Sequence, residues 1–462
     1  MKNKHIGVFL LLFFASQTFA AEGVDTLNWT KFKEIISLHH PVMAKTYLIE
    51  AQAKARMRQA WGNFEPALSY NYENKEFVGL NYYRFSSPEV KLPLWLGMDL
   101  KGNYDRAEGS FLNPENKLPT EGLSSLALNI PLGKGLLMDK RRATLKQASV
   151  FREASEIEQV RIINDLLREA GEAYTNWQTW YQIDELYDQA LVLAEQRFKA
   201  VKDGFAGGDR PAIDTTEALT QVQQRQISSQ QAKIQLQNSL YELSTFLWLP
   251  ESKPMEVEGL SLIPQKDEIS LSGNLSPTID NNPKLRIFDF KLRDLEIERR
   301  LKAENLRPTV DLQLGLLNSG LSNFRNLNAS YWENNNKIGL KVSFPLTFAS
   351  ARGDLAESVI KIKDTQIEQS LMRNGLEVKM KQNRAELNTL QAQLNLMEQT
   401  LQAHQRLLKG EEIRFSLGES SLFLINAREN KLLEIQEKIL ETENKILKNG
   451  LEGKWLTGGL ID

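Results

Sequence analysis

The chain of 462 residues contains no cysteine and only four histidines. The lack of cysteine excludes disulfide bonds, thiolate metal sites, cysteine nucleophiles and a lipid attached through cysteine. Acidic and basic residues nearly balance, 59 against 57, which argues against a dedicated nucleic-acid surface. After the N-terminus no run of about 18 apolar residues occurs, so no transmembrane helix is predicted. The composition offers few groups for enzyme chemistry, and we expect neither a cofactor nor a metal.

The N-terminus has the pattern of a secretory signal peptide, which we place at residues 1–20. Lys2 and Lys4 supply a positive start, an apolar run covers 6–15, and Ala20 ends a cleavage site with small residues. An exported chain without a later apolar helix belongs in the periplasm, in the medium, or in an outer membrane crossed by β-strands.

The rest of the chain repeats one pattern in the same order. Four blocks match at offsets of 242, 214, 210 and 210 residues: 40–69 with 282–311, 128–132 with 342–346, 142–145 with 352–355, and 205–209 with 415–419. The order and the spacing predict an internal duplication. Repeat one then spans 21–262 and repeat two spans 263–462.

Each repeat is predicted to contain a helix, two strands and a long helical hairpin. In repeat one the strands lie within about 66–131 and the hairpin within about 139–249. In repeat two the strands lie within about 308–346 and the hairpin within about 351–449, followed by a C-terminal segment. Residues 89–105 are also strand-like, and either extend the first strand or form an extra hairpin. The predicted fold is mostly α with some β.

The long helices carry heptad patterns that indicate lengthwise packing as coiled coils. In the first helix, apolar side chains recur at spacings of four and three: Ile163, Leu167, Ala170, Tyr174, Trp177 and Tyr181. In the second helix the series is Leu387, Leu390, Leu394, Met397, Leu401, His404 and Leu408. About 60 residues of helix span roughly 90 Å, which exceeds what a globular domain needs.

Two copies of helix, strands, Pro-Leu turn and long hairpin resemble the TolC family of outer-membrane efflux channels. The hairpin turns Phe205-Ala206-Gly207-Gly208 and Phe415-Ser416-Leu417-Gly418 are similar to that family's tip motif. The resemblance implies a homotrimer in the Gram-negative outer membrane, in which four strands per protomer form one barrel of twelve. It also implies a periplasmic tunnel of coiled coils that docks to a periplasmic adaptor and an inner-membrane transporter. Without cysteine the chain would not be lipidated.

The resemblance also implies roles for residues near the tips. It places a periplasmic aperture or gate after each tip glycine, formed here by Asp209, Asp214, Glu217, Asn426 and Arg428. We expect the polar links of this gate to join the three acidic residues of repeat one to Arg428 of repeat two. Leu424 and Ala427 stand where the best-known members carry aspartates, so an acidic ring there is in doubt. Adaptor docking is expected at Phe205, Gly208, Phe415, Gly418 and Glu419. The alternative is that these charges are solvated at a helix start and that the glycines only allow the reversal.

The predicted function is a passive exit duct, powered by the partner transporter, for a tripartite efflux or type I secretion system. The first alternative is a periplasmic adaptor, which carries one long hairpin inside a small β-domain, whereas this sequence has two hairpins. The second alternative is an enzyme, but no nucleophile motif or cluster of metal ligands occurs in the sequence.

Overall fold

The computed structural model describes residues 26–114, 117–256, 262–264, 278–321 and 334–460. The predicted signal peptide lies outside them. The helices described in full are α1 (Trp29–His39), α2 (Pro41–Gly62), α3 (Lys140–Ala206), α4 (Ala212–Ser244), α5 (Pro283–Glu304), α6 (Ala349–Ser416) and α7 (Leu422–Thr457). The strands are β1 (Thr26–Leu27), β2 (Ala67–Phe77), β3 (Leu80–Pro93), β4 (Asp99–Glu108), β5 (Leu123–Pro131), β6 (Trp248–Leu249), β7 (Lys253–Pro254), β8 (Ile263–Pro264), β9 (Thr309–Ser319) and β10 (Asn336–Ser343). The fold is mostly helical with some sheet, as predicted.

Helices α2 and α5 begin in the same way and have the same length of 22 residues. Each starts at a proline, whose missing N–H is no loss at the first helical position. The residue before the proline caps the helix with its side chain. His40 Nδ1 accepts the N–H of Val42 at 3.2 Å, and Asn282 Oδ1 accepts the N–H of Lys284 at 2.9 Å.

The two long hairpins consist of α3 with α4 and of α6 with α7. Helices α3 and α6 have 67 and 68 residues, so each is about 100 Å long at 1.5 Å per residue. The predicted heptad packing is consistent with the burial of Ala170, Tyr174 and Trp177 in α3 and of Leu390 in α6, whereas the other residues of the α6 series are half-buried. In the ranges that the structure covers, no helix is both long and apolar enough to span a bilayer.

Helix α3 joins two separate hydrophobic cores near its middle. Leu166 faces one core and the adjacent Leu167 faces the other. The first core joins α3 to α1 and α4 and includes Phe32, Ile36, Tyr174, Trp177 and Leu243. The second core joins α3 to α5, α6 and α7 and includes Leu285, Leu376, Met380, Leu451 and Trp455. The second helical hairpin is therefore fixed to helix α3 of the first.

The largest sheet of the described residues has six strands in the order β10-β9-β5-β4-β3-β2, and we call it the main sheet. All neighbouring strands in it are antiparallel. The prediction of four strands is wrong, because 89–105 belongs to an extra hairpin formed by β3 and β4. The chain reverses between them at Leu96 and Gly97, whose φ angles are 61° and 77°. Positive φ at two successive positions gives the tight turn that joins antiparallel strands.

The main sheet has one apolar and one polar face, because side chains alternate along each strand. Paired residues share a face, so the registers extend both faces over all six strands of the main sheet, up to a register shift between Lys75 and Glu76 of β2. Even-numbered positions in the part of the sheet nearest the helices form the apolar face, with Leu68, Tyr70, Val90, Leu92, Leu100, Leu126, Leu128, Leu312, Leu314, Ile338 and Leu340. Farther from the helices, Arg84, Arg106 and Glu108 stand at even-numbered positions. Odd-numbered positions form the polar face, with Asn71, Glu89, Lys91, Asp99, Lys101, Asn103, Ser125, Asp311, Gln313, Lys337 and Lys341.

The His40 cap of α2 predicts that stability depends on pH. His40 is buried, its ring lies near those of Phe246 and Trp248, and burial lowers its pKa from the ordinary 6.5. Below pH 6.5 the unfolded chain takes up a proton at His40 more readily than the folded chain does, so acidification destabilises the fold. His40→Asn keeps a capping side chain, as Asn282 shows for α5, and removes the titration.

We expect the purified protein to lose more thermal stability than His40→Asn between about pH 7.5 and about pH 5.5. His40→Ala should be about 1 kcal/mol less stable than His40→Asn at both pH values, because it lacks the cap and neither variant titrates at this position. Circular dichroism melts at the two pH values measure this. Parallel curves for the wild type and His40→Asn would contradict the assignment.

Candidate functional site: the paired hairpin tips

The first hairpin reverses through a glycine in the left-handed region. Gly208 has φ of 82°, and its N–H donates to Phe205 O at 3.0 Å. The N–H of Asp209 donates to Gly204 O at 2.9 Å. These two bonds satisfy carbonyl groups at the end of α3, as in a Schellman-type cap. Pro211 then precedes the first residue of α4.

The second hairpin reverses with matching bonds 210 positions later. Gly418 has φ of 78°, and its N–H donates to Phe415 O at 3.1 Å. The N–H of Glu419 donates to Arg414 O at 2.8 Å, and Ser421 precedes α7. A substituted Cβ at Gly418 would meet nothing within 4 Å. The glycine is therefore needed for its backbone angle rather than for close packing.

The two tips pack against each other within one protomer. Leu422, the first residue of α7, is buried in a small core with Val201 of α3 and Ala218 of α4. The Arg210 guanidinium carbon lies 4.2 Å from the centre of the Phe415 ring, which is a cation–π contact from the first tip to the second. The structure thus unites the two turns that the sequence places far apart.

The predicted aperture residues of the first tip have different surroundings. Glu217 Oε1 accepts from Asn426 Nδ2 at 3.3 Å, so these two predicted residues meet across the two hairpins. Asp214 Oδ2 lies 4.0 Å from Arg210 Nη1 on its own hairpin. Asp209 contributes its backbone N–H to the turn. The structure therefore brings Glu217 and Asn426 together.

Arg428 has a partner that the sequence analysis missed. Its Nε lies 3.9 Å from Glu411 Oε2, and Glu411 is buried on α6 of the same hairpin. Ser420 Oγ donates to Glu411 Oε1 at 2.5 Å, and Arg414 Nη1 lies 3.7 Å from the same oxygen. The predicted link from Arg428 to the first tip is not among the ion pairs of the described residues. One buried carboxylate instead holds two arginines and the turn serine.

The position of Glu411 explains why it was missed and how it could have been found. At the offset of 210, Glu411 corresponds to Val201 and Arg428 corresponds to Ala218. Val201 and Ala218 belong to one apolar cluster in the first tip, whereas the second tip has a charged pair at the same positions. Burying a charge is costly unless it is paired, which accounts for the partners around Glu411. Comparison of the repeats position by position would have revealed it.

Polar contacts also join the first hairpin to α7 above the tips. Arg197 of α3 makes two hydrogen bonds to Glu429, at 2.5 and 2.6 Å. Tyr187 donates to Glu437 Oε2 at 2.6 Å, and burial together with this hydrogen bond raises the pKa of Tyr187. The partners lie more than 200 residues apart, and no local pattern in the sequence pairs them.

The site can hold two helix reversals together through ion pairs and hydrogen bonds, and such bonds can break without covalent chemistry. Across the part of the chain that the structure covers, no group of three or more histidine, aspartate or glutamate residues could hold a metal ion.

Solved structures with the same fold are outer-membrane channel proteins. The Campylobacter jejuni CmeC outer membrane channel superposes with a TM-score of 0.66 and 12% identity, over 93% of this chain and 85% of that one. The outer membrane protein VceC of Vibrio cholerae superposes with a TM-score of 0.63 and 14% identity, over 93% of this chain and 96% of that one. The open state of the Neisseria gonorrhoeae MtrE outer membrane channel superposes with a TM-score of 0.64 and 14% identity, over 93% of this chain and 89% of that one.

No protein-family model matches the sequence. No curated protein matches it either. At these low identities the likeness concerns the fold, and at that level the predicted resemblance to TolC-family channels is confirmed. The neighbours are channel proteins rather than enzymes.

The buried Glu411 predicts a local change in stability at the second tip. Glu411→Gln keeps an acceptor for Ser420 but removes the charge that pairs with Arg414 and Arg428. A hydrogen bond to a charged group contributes about 1.5–3 kcal/mol and one to a neutral group about 0.5–1.5 kcal/mol. Because Glu411→Gln weakens the Ser420 bond in this way and also removes both ion pairs, we expect faster amide exchange at residues 411–428. Hydrogen–deuterium exchange measures this, with Glu412→Gln as the control, since Glu412 is the exposed neighbour on the same helix. Equal exchange in both variants would contradict the role of Glu411.

Proposed function

We propose that the chain is a subunit of an outer-membrane exit channel for a tripartite efflux or type I secretion system. The channel conducts passively, and a partner transporter supplies the energy. The observation that carries this proposal is the main sheet, which is apolar on one face and polar on the other and leads directly into helical hairpins about 100 Å long. Such a sheet suits a wall between lipid and water.

The main sheet supports assembly from several copies. Leu68 and Ile338, near its two ends, are 79% and 71% exposed on the apolar face. In the part of the chain that the structure describes, β2 and β10 are the edge strands. Lipid cannot satisfy the backbone groups of an open edge, so further copies have to complete the sheet. Three copies are the number that the resemblance to TolC-family channels implies.

The helical hairpins supply the tunnel in this proposal. They start at the end of the main sheet, where β5 and β10 lead into α3 and α6, and they end at the paired tips. A sheet in the outer membrane therefore places the tips about 100 Å away, in the periplasm. The chain is held by its strands and not by a lipid, because it has no cysteine.

The paired tips are the proposed contact for a periplasmic adaptor and its inner-membrane transporter. Phe205 is half exposed, at 47%, and Leu417 beside Gly418 is 69% exposed, so the tips offer apolar groups at the far end of the tunnel. The adaptor alternative fits less well. An adaptor has one hairpin, whereas this chain packs its second hairpin on helix α3 of the first and joins both to one sheet.

The aperture is proposed at the same tips. Glu217 and Asn426 meet across the hairpins, and Arg428 is 38% exposed beside Glu411. In a trimer, three copies of Arg428 would surround the end of the tunnel and oppose the attraction of cations to the carboxylates of the first tip. Asp209 and Asp214 on the first tip complete the proposed set.

Conductance of the purified protein in planar bilayers tests this function. We expect defined channels, and we expect Arg428→Ala to change the conductance about twofold or more and to shift selectivity towards cations, because a ring of positive charge is lost. Arg406→Ala is the matched control, since Arg406 is exposed on α6 away from the tip and bonds within its own helix. Absence of channels would overturn the function. Channels that Arg428→Ala leaves unchanged would overturn the aperture only.

A further inference from the structure

Among the residues that the structure describes, strands β3 and β4 have no counterpart in the second half of the main sheet. β2 follows α2 and β9 follows α5, and both strands have 11 residues, at an offset of 242. β5 and β10 both lead into a long helix. β9 pairs directly with β10, whereas β3 and β4 lie between β2 and β5. The first half therefore carries one additional hairpin.

The additional hairpin continues the apolar face of the main sheet. One row of paired residues crosses five strands, with Leu92 opposite Leu100, then Leu128, Leu314 and Ile338. Two of these five side chains come from the hairpin, and all are aliphatic. A flap beside a channel would have no reason to match the apolar row of its neighbours, whereas a strand in a lipid-facing wall requires it.

The polar face of the hairpin carries ion pairs between its two strands. Lys101 Nζ lies 3.3 Å from Glu89 Oε1, and Lys91 Nζ lies 3.3 Å from Asp99 Oδ2. These pairs cross from β3 to β4, so the charges of the hairpin neutralise each other on the polar side.

The turn of the hairpin is fixed to the helices. Trp95 stacks on Phe64, which follows α2, with ring centres 5.4 Å apart. Asp99, the first residue of β4, accepts from Arg141 at the start of α3 at 2.8 Å. Aromatic stacking and a charged hydrogen bond thus hold the end of the hairpin nearest the helices.

We propose that the β3–β4 hairpin forms part of the channel wall, so that three copies close a barrel of eighteen strands instead of twelve. This rests on the proposed trimeric channel. The strands of the main sheet alternate in direction, so the β10 edge of one copy meets the β2 edge of the next in the antiparallel sense. Barrel diameter grows about linearly with strand number, so the exit is about 1.5 times as wide as with twelve strands.

Single-cysteine variants test the proposal, because the chain has no cysteine of its own. On β4, Lys101→Cys places the thiol on the polar face and Leu100→Cys places it on the apolar face. Lys341→Cys and Leu340→Cys on β10 are the matched pair in a strand that the twelve-strand barrel also contains. The protein is reconstituted in lipid nanodiscs and exposed to a membrane-impermeant maleimide.

We expect the same difference in labelling rate within both pairs. Positions 101 and 341 should be labelled at least about tenfold faster than positions 100 and 340, because lipid shields the apolar face. If the two positions on β10 differ in labelling rate and the two on β4 do not differ in the same way, the wider barrel is overturned and the proposed channel stands. Equal labelling rates at positions 340 and 341 on β10 would instead overturn the proposed channel itself.

Deletion of residues 78–108 gives a second measurement. It removes one complete up-and-down hairpin, so β2 still leads through 109–122 into β5 in the correct direction. Electron microscopy of this variant should show twelve strands and a barrel about one third narrower than that of the wild type. An unchanged diameter would overturn the proposal, and if the variant does not assemble the cysteine labelling decides.

Discussion

The open, two-faced sheet is the constraint on which the rest of the structure depends. Its apolar face cannot remain in water without a large cost, and its edge strands cannot remain unpaired in lipid. The described part of the chain offers no second layer over the apolar face of the main sheet, since Leu68, Ile338 and Leu340 stay mostly exposed. Membrane insertion and association with further copies satisfy both demands together.

Helix α3 connects this sheet to the tips and organises the helical part. At its start Arg141 bonds to the sheet through Asp99, at its middle Leu166 and Leu167 enter two different cores, and near its end Arg197 holds Glu429 of α7. A displacement of the tip hairpins relative to each other would have to break contacts along α3. The polar bonds near the tip are easier to exchange than the packed middle, because the exchange does not expose apolar surface.

The sequence predicted those parts that have a period or a repeated order. Prolines at equal spacing predicted α2 and α5, and heptads predicted α3 and α6, since these signals are local. The strand number was wrong because the two residues with positive φ at the reversal are Leu96 and Gly97, so no Asn-Gly or Asp-Gly pair marks the turn in the sequence. The link of Glu217 to Asn426 was within the predicted set, but the role of Glu411 was missed, because its partners become neighbours only when the hairpin closes. The duplication itself stays a prediction, supported by equal helix lengths.

The most direct test of the account is the mass and shape of the protein purified in detergent. Light scattering coupled to gel filtration gives the copy number, and negative-stain electron microscopy gives the outline. The account predicts three copies in one elongated particle, with a short barrel continued by a hollow stalk about 100 Å long. A compact monomer, or a rod without a barrel end, would contradict it.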